Sequence, residues 1–183
     1  GDSILTPFEI EPYPFQRQIL ERLEVERRRG RPHNIVVAAT GTGKTIIAAL
    51  DYRHLASELK RSRLLFVAHR EEILEQSRTM FRHVLRKGDF GELWVGGKRP
   101  DRWDHVFASI QSITAAEATS IEADHFDVVG VDEFHHSAAA TYEVLLDHLE
   151  PRHLLGLTAT PERADGLDVL RWFGGRRGAT PAE

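Results

Sequence analysis

The stretch "VVAATGTGKT", residues 36–45, decides how the rest of the chain is read. An apolar, β-rich run breaks into two glycines, a lysine and a threonine. It sits between an expected strand, "NIVVAA" (34–39), and an expected helix from Gly43 to Leu59. Gly41 and Gly43 allow a tight turn, so successive backbone N–H groups can face phosphate oxygens. The start of a helix adds its partial positive charge. On this reading Thr40, Gly41, Thr42, Gly43, Lys44 and Thr45 cradle a phosphate chain. Lys44, expected on the surface of the loop, reaches the β- and γ-phosphates, and the Thr45 hydroxyl holds Mg²⁺. The common pattern G-x-x-x-x-G-K-[ST] begins with glycine, whereas this chain has Ala38 there. A bland alternative is a Gly-rich turn beside an exposed lysine, so the surrounding chain must decide.

Outward from the loop, short apolar runs alternate with helical patterns, the mark of a parallel α/β sheet. After Pro14, "FQRQILERLEVERRR" sets Phe15, Ile19, Leu20, Leu23 and Val25 near one helix face and stops at Gly30. Strands are expected at 63–68, 91–96, 105–110, 126–132 and 153–159, and helices from Glu71 to about Leu85 and over roughly 139–149. The end, "GGRRGATPAE", reads as a linker. The expected division is a lead-in (1–13), one α/β domain (14–173) and a tail (174–183).

Composition narrows the class. Hydrophobic residues at 41% and charged residues at 28% describe a globular chain, and 183 residues suit one domain. Net charge is -4, so no general basic character advertises nucleic acid, which leaves room only for a local basic face. Cysteine is absent, which excludes disulfides and thiolate metal sites. No apolar run approaches the roughly 20 residues of a membrane span, and the first residues lack a secretory pattern. A cytoplasmic location and no membrane partner are the expectation.

The run "FDVVGVD" ends in Asp132-Glu133, followed by Phe134, His135 and His136. A carboxylate at the C-terminal end of a parallel strand faces the crevice where such sheets bind ligands. Asp132 can hold Mg²⁺, and Glu133 can take a proton from an attacking water. By itself "DE" after a strand is commonly a solvated loop start; beside a phosphate loop the site reading wins.

Together these segments resemble the first RecA-like domain of a superfamily 2 helicase or translocase. That family writes its loop as A-x-x-G-x-G-K-T, so "AATGTGKT" is its own form. "DEFH" (132–135) matches its D-E-x-H box, "LTATP" (157–161) its T-A-T motif, and "FVAHREEILEQ" (66–76) its motif Ia. "YPFQRQIL" (13–20) is similar to the region of its adenine-reading glutamine, here Gln16. Many relatives have arginine where this chain has Tyr13. The exit "TATPERADGLDVLRWFGG" resembles the branch with helicase subunits of type I and III restriction systems and related DNA-repair helicases.

The resemblance implies a RecA-like P-loop fold, a mainly parallel sheet sandwiched between helices, using ATP and Mg²⁺. Lys44, Asp132 and Glu133 would be catalytic, with Mg²⁺ on Thr45 and Asp132. His135, Thr158 and Thr160 would couple hydrolysis to motion. The partners implied are nucleic acid, DNA rather than RNA, and a second RecA-like domain whose arginine finger these residues lack. The isolated domain is then expected to be nearly inactive. Nucleic-acid contacts are expected from His69 and Arg70 and from Ser109 and Gln111. Trp94 and Trp103 can stack on bases, though such strand-end tryptophans are commonly core. None of the 10 histidines shows zinc-like spacing with other ligands. Rival functions are the motor of a restriction-modification complex and a nucleotide-dependent switch without productive turnover.

Overall fold

A computed structural model describes residues 10–38, 41–134, 136–159 and 171–173, with backbone alone at 41, 42 and 136. Helix α1 (Pro14–Arg28) leads into β1 (His33–Val37), α2 (Gly41–Glu58), β2 (Leu64–Ala68) and α3 (Glu71–Leu85). Then come β3 (Glu92–Trp94), β4 (His105–Ser109), α4 (Ala115–Ser120), β5 (Val128–Asp132), α5 (Ala139–His148) and β6 (His153–Thr158). The six strands form one parallel sheet in the order β1-β6-β5-β2-β4-β3. The α/β expectation holds, with helices on both faces.

Alternation along each strand sorts the core into two layers. Leu64, Phe66 and Ala68 of β2 join one cluster with Ile19 and Leu23 of α1, Ile47 of α2 and Phe81 of α3. Leu65 and Val67 point the other way, into a cluster with Ala118 of α4, Tyr142 and Leu145 of α5, and Phe173. Because both faces are covered, β2 is buried at every residue and reads as an unbroken apolar run. Phe66, Phe81 and Phe107 pack ring against ring at 5.3–5.6 Å. Each such side chain contributes about 1.5–3 kcal/mol by burial.

Helix α1 departs from the expected face. Gln16, Ile19, Leu23 and Glu26 are its buried residues, whereas Phe15 is 52% exposed and Val25 36%. The spacing 16-19-23-26 is the true apolar-facing stripe, and it includes two polar residues because each has a partner. Glu26 accepts from Arg31 at 2.9 Å, and Gln16 caps the helix start. Helix α4 was not expected; its sequence signal is the capping box Thr114-x-x-Glu117, in which Glu117 N–H donates to the Thr114 hydroxyl at 3.1 Å.

Register sets the functional edge. Val37 pairs with Thr158, Leu157 with Asp132, and Ala68 with both Asp132 and Ser109. The C-terminal ends of five strands are therefore level, and the loops that follow emerge side by side. Among the described residues no helix is long and apolar enough to cross a membrane.

Candidate functional site

Lys44 lies in the first turn of α2, which begins at Gly41, two residues before the expected start. It is only 5% exposed, against the expectation of a surface lysine. Its Nζ sits 2.5 Å from Glu133 Oε2 and 3.3 Å from Asp132 Oδ1. Two carboxylates at the end of β5 draw the ammonium inward, since an ion-paired lysine tolerates burial that a lone one does not.

Strand alternation would send Asp132 and Glu133 to opposite faces, yet both reach Lys44. Glu133 achieves this with φ 65, a left-handed conformation uncommon for a non-glycine residue. Its backbone N–H donates to Leu157 O at 2.8 Å, and the Tyr142 hydroxyl donates to its carbonyl at 3.1 Å. Thr158 Oγ1 donates to Glu133 Oε1 at 3.0 Å, and Ala159 N–H donates to Oε2 at 3.1 Å. Burial holds the Tyr142 phenol well above its ordinary pKa, so it stays a donor. The sequence carries no signal for Tyr142 as a support of the site; it reads as helix core.

Burial also pushes the Asp132 carboxyl above its usual range, against the opposing pull of Lys44. Asp132 Oδ1 is buried and makes no hydrogen bond, only the ion contact with Lys44. A buried carboxylate oxygen without a hydrogen-bond donor is what a hard divalent cation would satisfy, and Thr45, half-buried in the same turn as Lys44, adds a second oxygen. The donor set fits Mg²⁺. Thr40, His135 and Thr160 lie outside the described residues, as do the side chains of Thr42 and His136. Gln16 is buried at the start of α1, where its Oε1 accepts the Tyr13 N–H at 2.9 Å.

The other four candidates come together. His69 and Arg70 follow β2, Ser109 ends β4 and Gln111 lies in the 3₁₀ turn after it. They line one depression of about 440 Å³ with Gly96, Ser112, Glu71 and Glu72. His69 Nε2 and Gln111 Nε2 are 3.4 Å apart. Gly96, at φ 53, turns the chain after β3 and donates its N–H to the Ser112 hydroxyl at 2.8 Å. Sequence reading did not single out Gly96 or Ser112, because their proximity depends on β3 lying beside β4. Trp94 is buried, packs edge-on against Trp103 and is covered by the Arg99 guanidinium at 5.2 Å. It is core, and Arg99 is held over it by Glu117.

The parallel sheet with Lys44 at the start of α2 and two carboxylates closing on it from β5 defines a class: the first RecA-like domain of a superfamily 2 helicase. The chain belongs to the family described as "Type III restriction enzyme, res subunit", whose model matches residues 9–163. It is 27% identical over 176 residues to the "Type I restriction enzyme EcoAI endonuclease subunit" of Escherichia coli, covering 89% of this chain and 21% of that protein. It is 27% identical over 173 residues to the "DNA 3'-5' translocase XPB2" of Sulfurisphaera tokodaii, covering 92% of this chain and 36% of that protein. A mouse protein named as an ATP-dependent RNA helicase is 28% identical over 177 residues, covering 84% of this chain and 25% of that protein. The fold is shared with the UvsW helicase of bacteriophage T4 at a TM-score of 0.67 and 17% identity, over 92% of this chain and 61% of that one. The chain thus spans between a fifth and two fifths of the length of these curated relatives.

Proposed function

We propose that this domain is the ATP-binding half of a nucleic-acid motor that couples Mg-ATP hydrolysis to movement on DNA. The observation that carries the reading is Lys44 gripping Asp132 and Glu133 at the C-terminal edge of the sheet. Lys44 would bind the phosphate chain, together with the N–H groups that open α2. Asp132 and Thr45 would hold Mg²⁺, which when bound supplies positive charge against the phosphoryl oxygens. Glu133 would accept a proton from the attacking water.

In this proposal Lys44 changes partners. Its ion pair with Glu133 holds the carboxylate away from base chemistry, and a phosphate that draws Lys44 off releases Glu133. His135, Thr158 and Thr160 would pass that change on; Thr158 already contacts Glu133. The depression with His69, Arg70, Ser109 and Gln111 would take the nucleic-acid backbone, because hydroxyls, amides and one cation suit phosphate contacts on an acidic chain. DNA is preferred to RNA on the strength of the restriction subunit and the DNA translocase among the relatives. The family description also favours a second reading, the motor of a restriction-modification complex.

A second RecA-like domain would complete the site, since an arginine finger contributes roughly 10³–10⁵ in rate. The 183-residue chain alone is expected to hydrolyse ATP barely, with little stimulation by DNA. Joined to such a second domain, it should turn over ATP briskly with DNA. There Glu133→Gln should lower turnover by about 10²–10⁴-fold while nucleotide affinity is kept or improved, since Lys44 loses a competing charge. Wild-type turnover by Glu133→Gln would remove the proposed base. A longer protein whose ATPase ignores DNA would favour the switch.

A further inference from the structure

Away from the phosphate site, α1 and α2 bring three metal-ligating side chains to one point. His54 and Glu58 are four residues apart on α2 and share a face. Glu24 approaches from α1. His54 Nε2 lies 3.3 Å from Glu58 Oε2 and 3.9 Å from Glu24 Oε2, and the three ligand atoms all fall within 4.8 Å of one another. Bonds of about 2.0–2.1 Å around a tetrahedral zinc ion put neighbouring ligand atoms about 3.3–3.4 Å apart. One edge of that tetrahedron is already formed, and a second needs a closure of about 0.5 Å, within reach of a half-exposed glutamate rotamer.

The frame around the cluster is rigid. Arg27, one turn after Glu24, makes a two-pronged pair with Asp51, one turn before His54, at 2.5 and 2.8 Å. Both side chains are more than nine-tenths buried. This pair fixes the two helices against each other and so fixes the spacing of Glu24 to His54. Two carboxylates meet there; Arg28 pairs with Glu24 at 3.0 Å, and Arg17, Arg27 and Arg53 line the same depression as Glu24 and His54. An imidazole in the set selects zinc-like ions over Mg²⁺ or Ca²⁺. The side chains are 40–59% exposed, which leaves a fourth position to water.

We infer that Glu24, His54 and Glu58 form a Zn²⁺ site that staples α1 to α2. His54 is ten residues beyond Lys44, roughly 15 Å along α2, so the site is distinct from the one proposed for Mg²⁺. The staple joins the helix that carries Gln16 to the helix that opens with the phosphate loop. Spacing along the chain does not announce this cluster: two of its members are four apart, and the third is 30 residues upstream, where only helix packing brings it in.

Zinc chloride titrated into the 183-residue chain without nucleotide should bind once by calorimetry. At zinc about tenfold above the dissociation constant, the thermal midpoint should rise by about 3–6 °C. His54→Ala and Glu58→Gln, both exposed changes, should each weaken binding by about tenfold or more. Arg28→Ala should tighten it severalfold by freeing Glu24. No saturable heat would overturn the site. Unchanged affinity in His54→Ala and Glu58→Gln would place zinc on other histidines, and an Arg28→Ala chain that binds no tighter would remove Glu24 from the set. None of these readings depends on ATP turnover, so the staple and the motor stand or fall separately.

Discussion

The Thr158 hydroxyl donates a 3.0 Å hydrogen bond to Glu133 Oε1, tying the end of β6 to the end of β5 at the carboxylate that also holds Lys44. Thr158 is buried, so the bond is formed in a dry place next to a charge. Thr158→Val keeps the shape and removes the donor. It should cost about 0.5–1.5 kcal/mol of stability. If the proposed motor reading holds, then in this domain joined to a second RecA-like domain it should cut nucleic-acid stimulation of ATP hydrolysis more than it cuts nucleotide affinity. Equal stimulation in Thr158→Val and the parent would show that Thr158 carries no message from Glu133.

Burial of Lys44 changes what its removal does. Lys44→Ala should lower nucleotide affinity about 10- to 150-fold through loss of a charge-assisted contact. It should also destabilise the fold by about 1–3 kcal/mol, because the buried Asp132 carboxylate is left without its cation. Adding Asp132→Asn to Lys44→Ala should restore part of that loss in urea unfolding. A Lys44→Ala chain as stable as the parent would mean that the ion pair does not matter to folding.

His33, His105 and His153 each open a strand, at β1, β4 and β6, on the edge away from Lys44. Burial holds all three imidazoles below their ordinary pKa; for His33 the Trp172 carbonyl, 2.9 Å from Nδ1, pulls the other way. The folded chain therefore favours neutral rings, and below about pH 6.5 the unfolded chain binds more protons. Their contribution is complete above that pH and is lost as pH falls through the depressed folded values. The urea midpoint should be lower at pH 5.5 than at 7.5, and His33→Gln should flatten part of the slope. A midpoint independent of pH over this range would contradict the buried-histidine argument.

Gly156 sits in β6 where a Cβ would come within 2.7 Å of the Phe173 ring and 3.4 Å of Ile35. Phe173 is itself buried and packs against Phe134, so the ring has little room to retreat. Gly156→Ala should destabilise the domain by about 1–3 kcal/mol, the usual cost of overpacking, although alanine is normally the better strand residue. Denaturation showing equal or greater stability would mean the ring moves freely.

Much of the fold was legible along the chain. Residues 71–85 and 139–148 carry helical periodicity, and 64–68 is a continuous apolar run, so α3, α5 and β2 fall where pattern places them. Lys44, Asp132 and Glu133 were legible as a candidate site, and the structure brings the three together, because they stand at a strand-to-helix turn and at a strand end, and local order in sequence fixes both. The exposure of Phe15 and Val25 was not legible, because a helix pattern leaves open which of several apolar stripes meets the sheet. Nor was the burial of Lys44, which depends on β5 lying two strands from β1 and on the left-handed turn at Glu133. The same holds for Ser112 beside Gly96 and for Glu24 beside His54: each pair is distant along the chain, and only the packing of separate elements makes them neighbours. Sequence determined the elements and the chemistry at their ends; strand order and helix packing decided which of those ends meet.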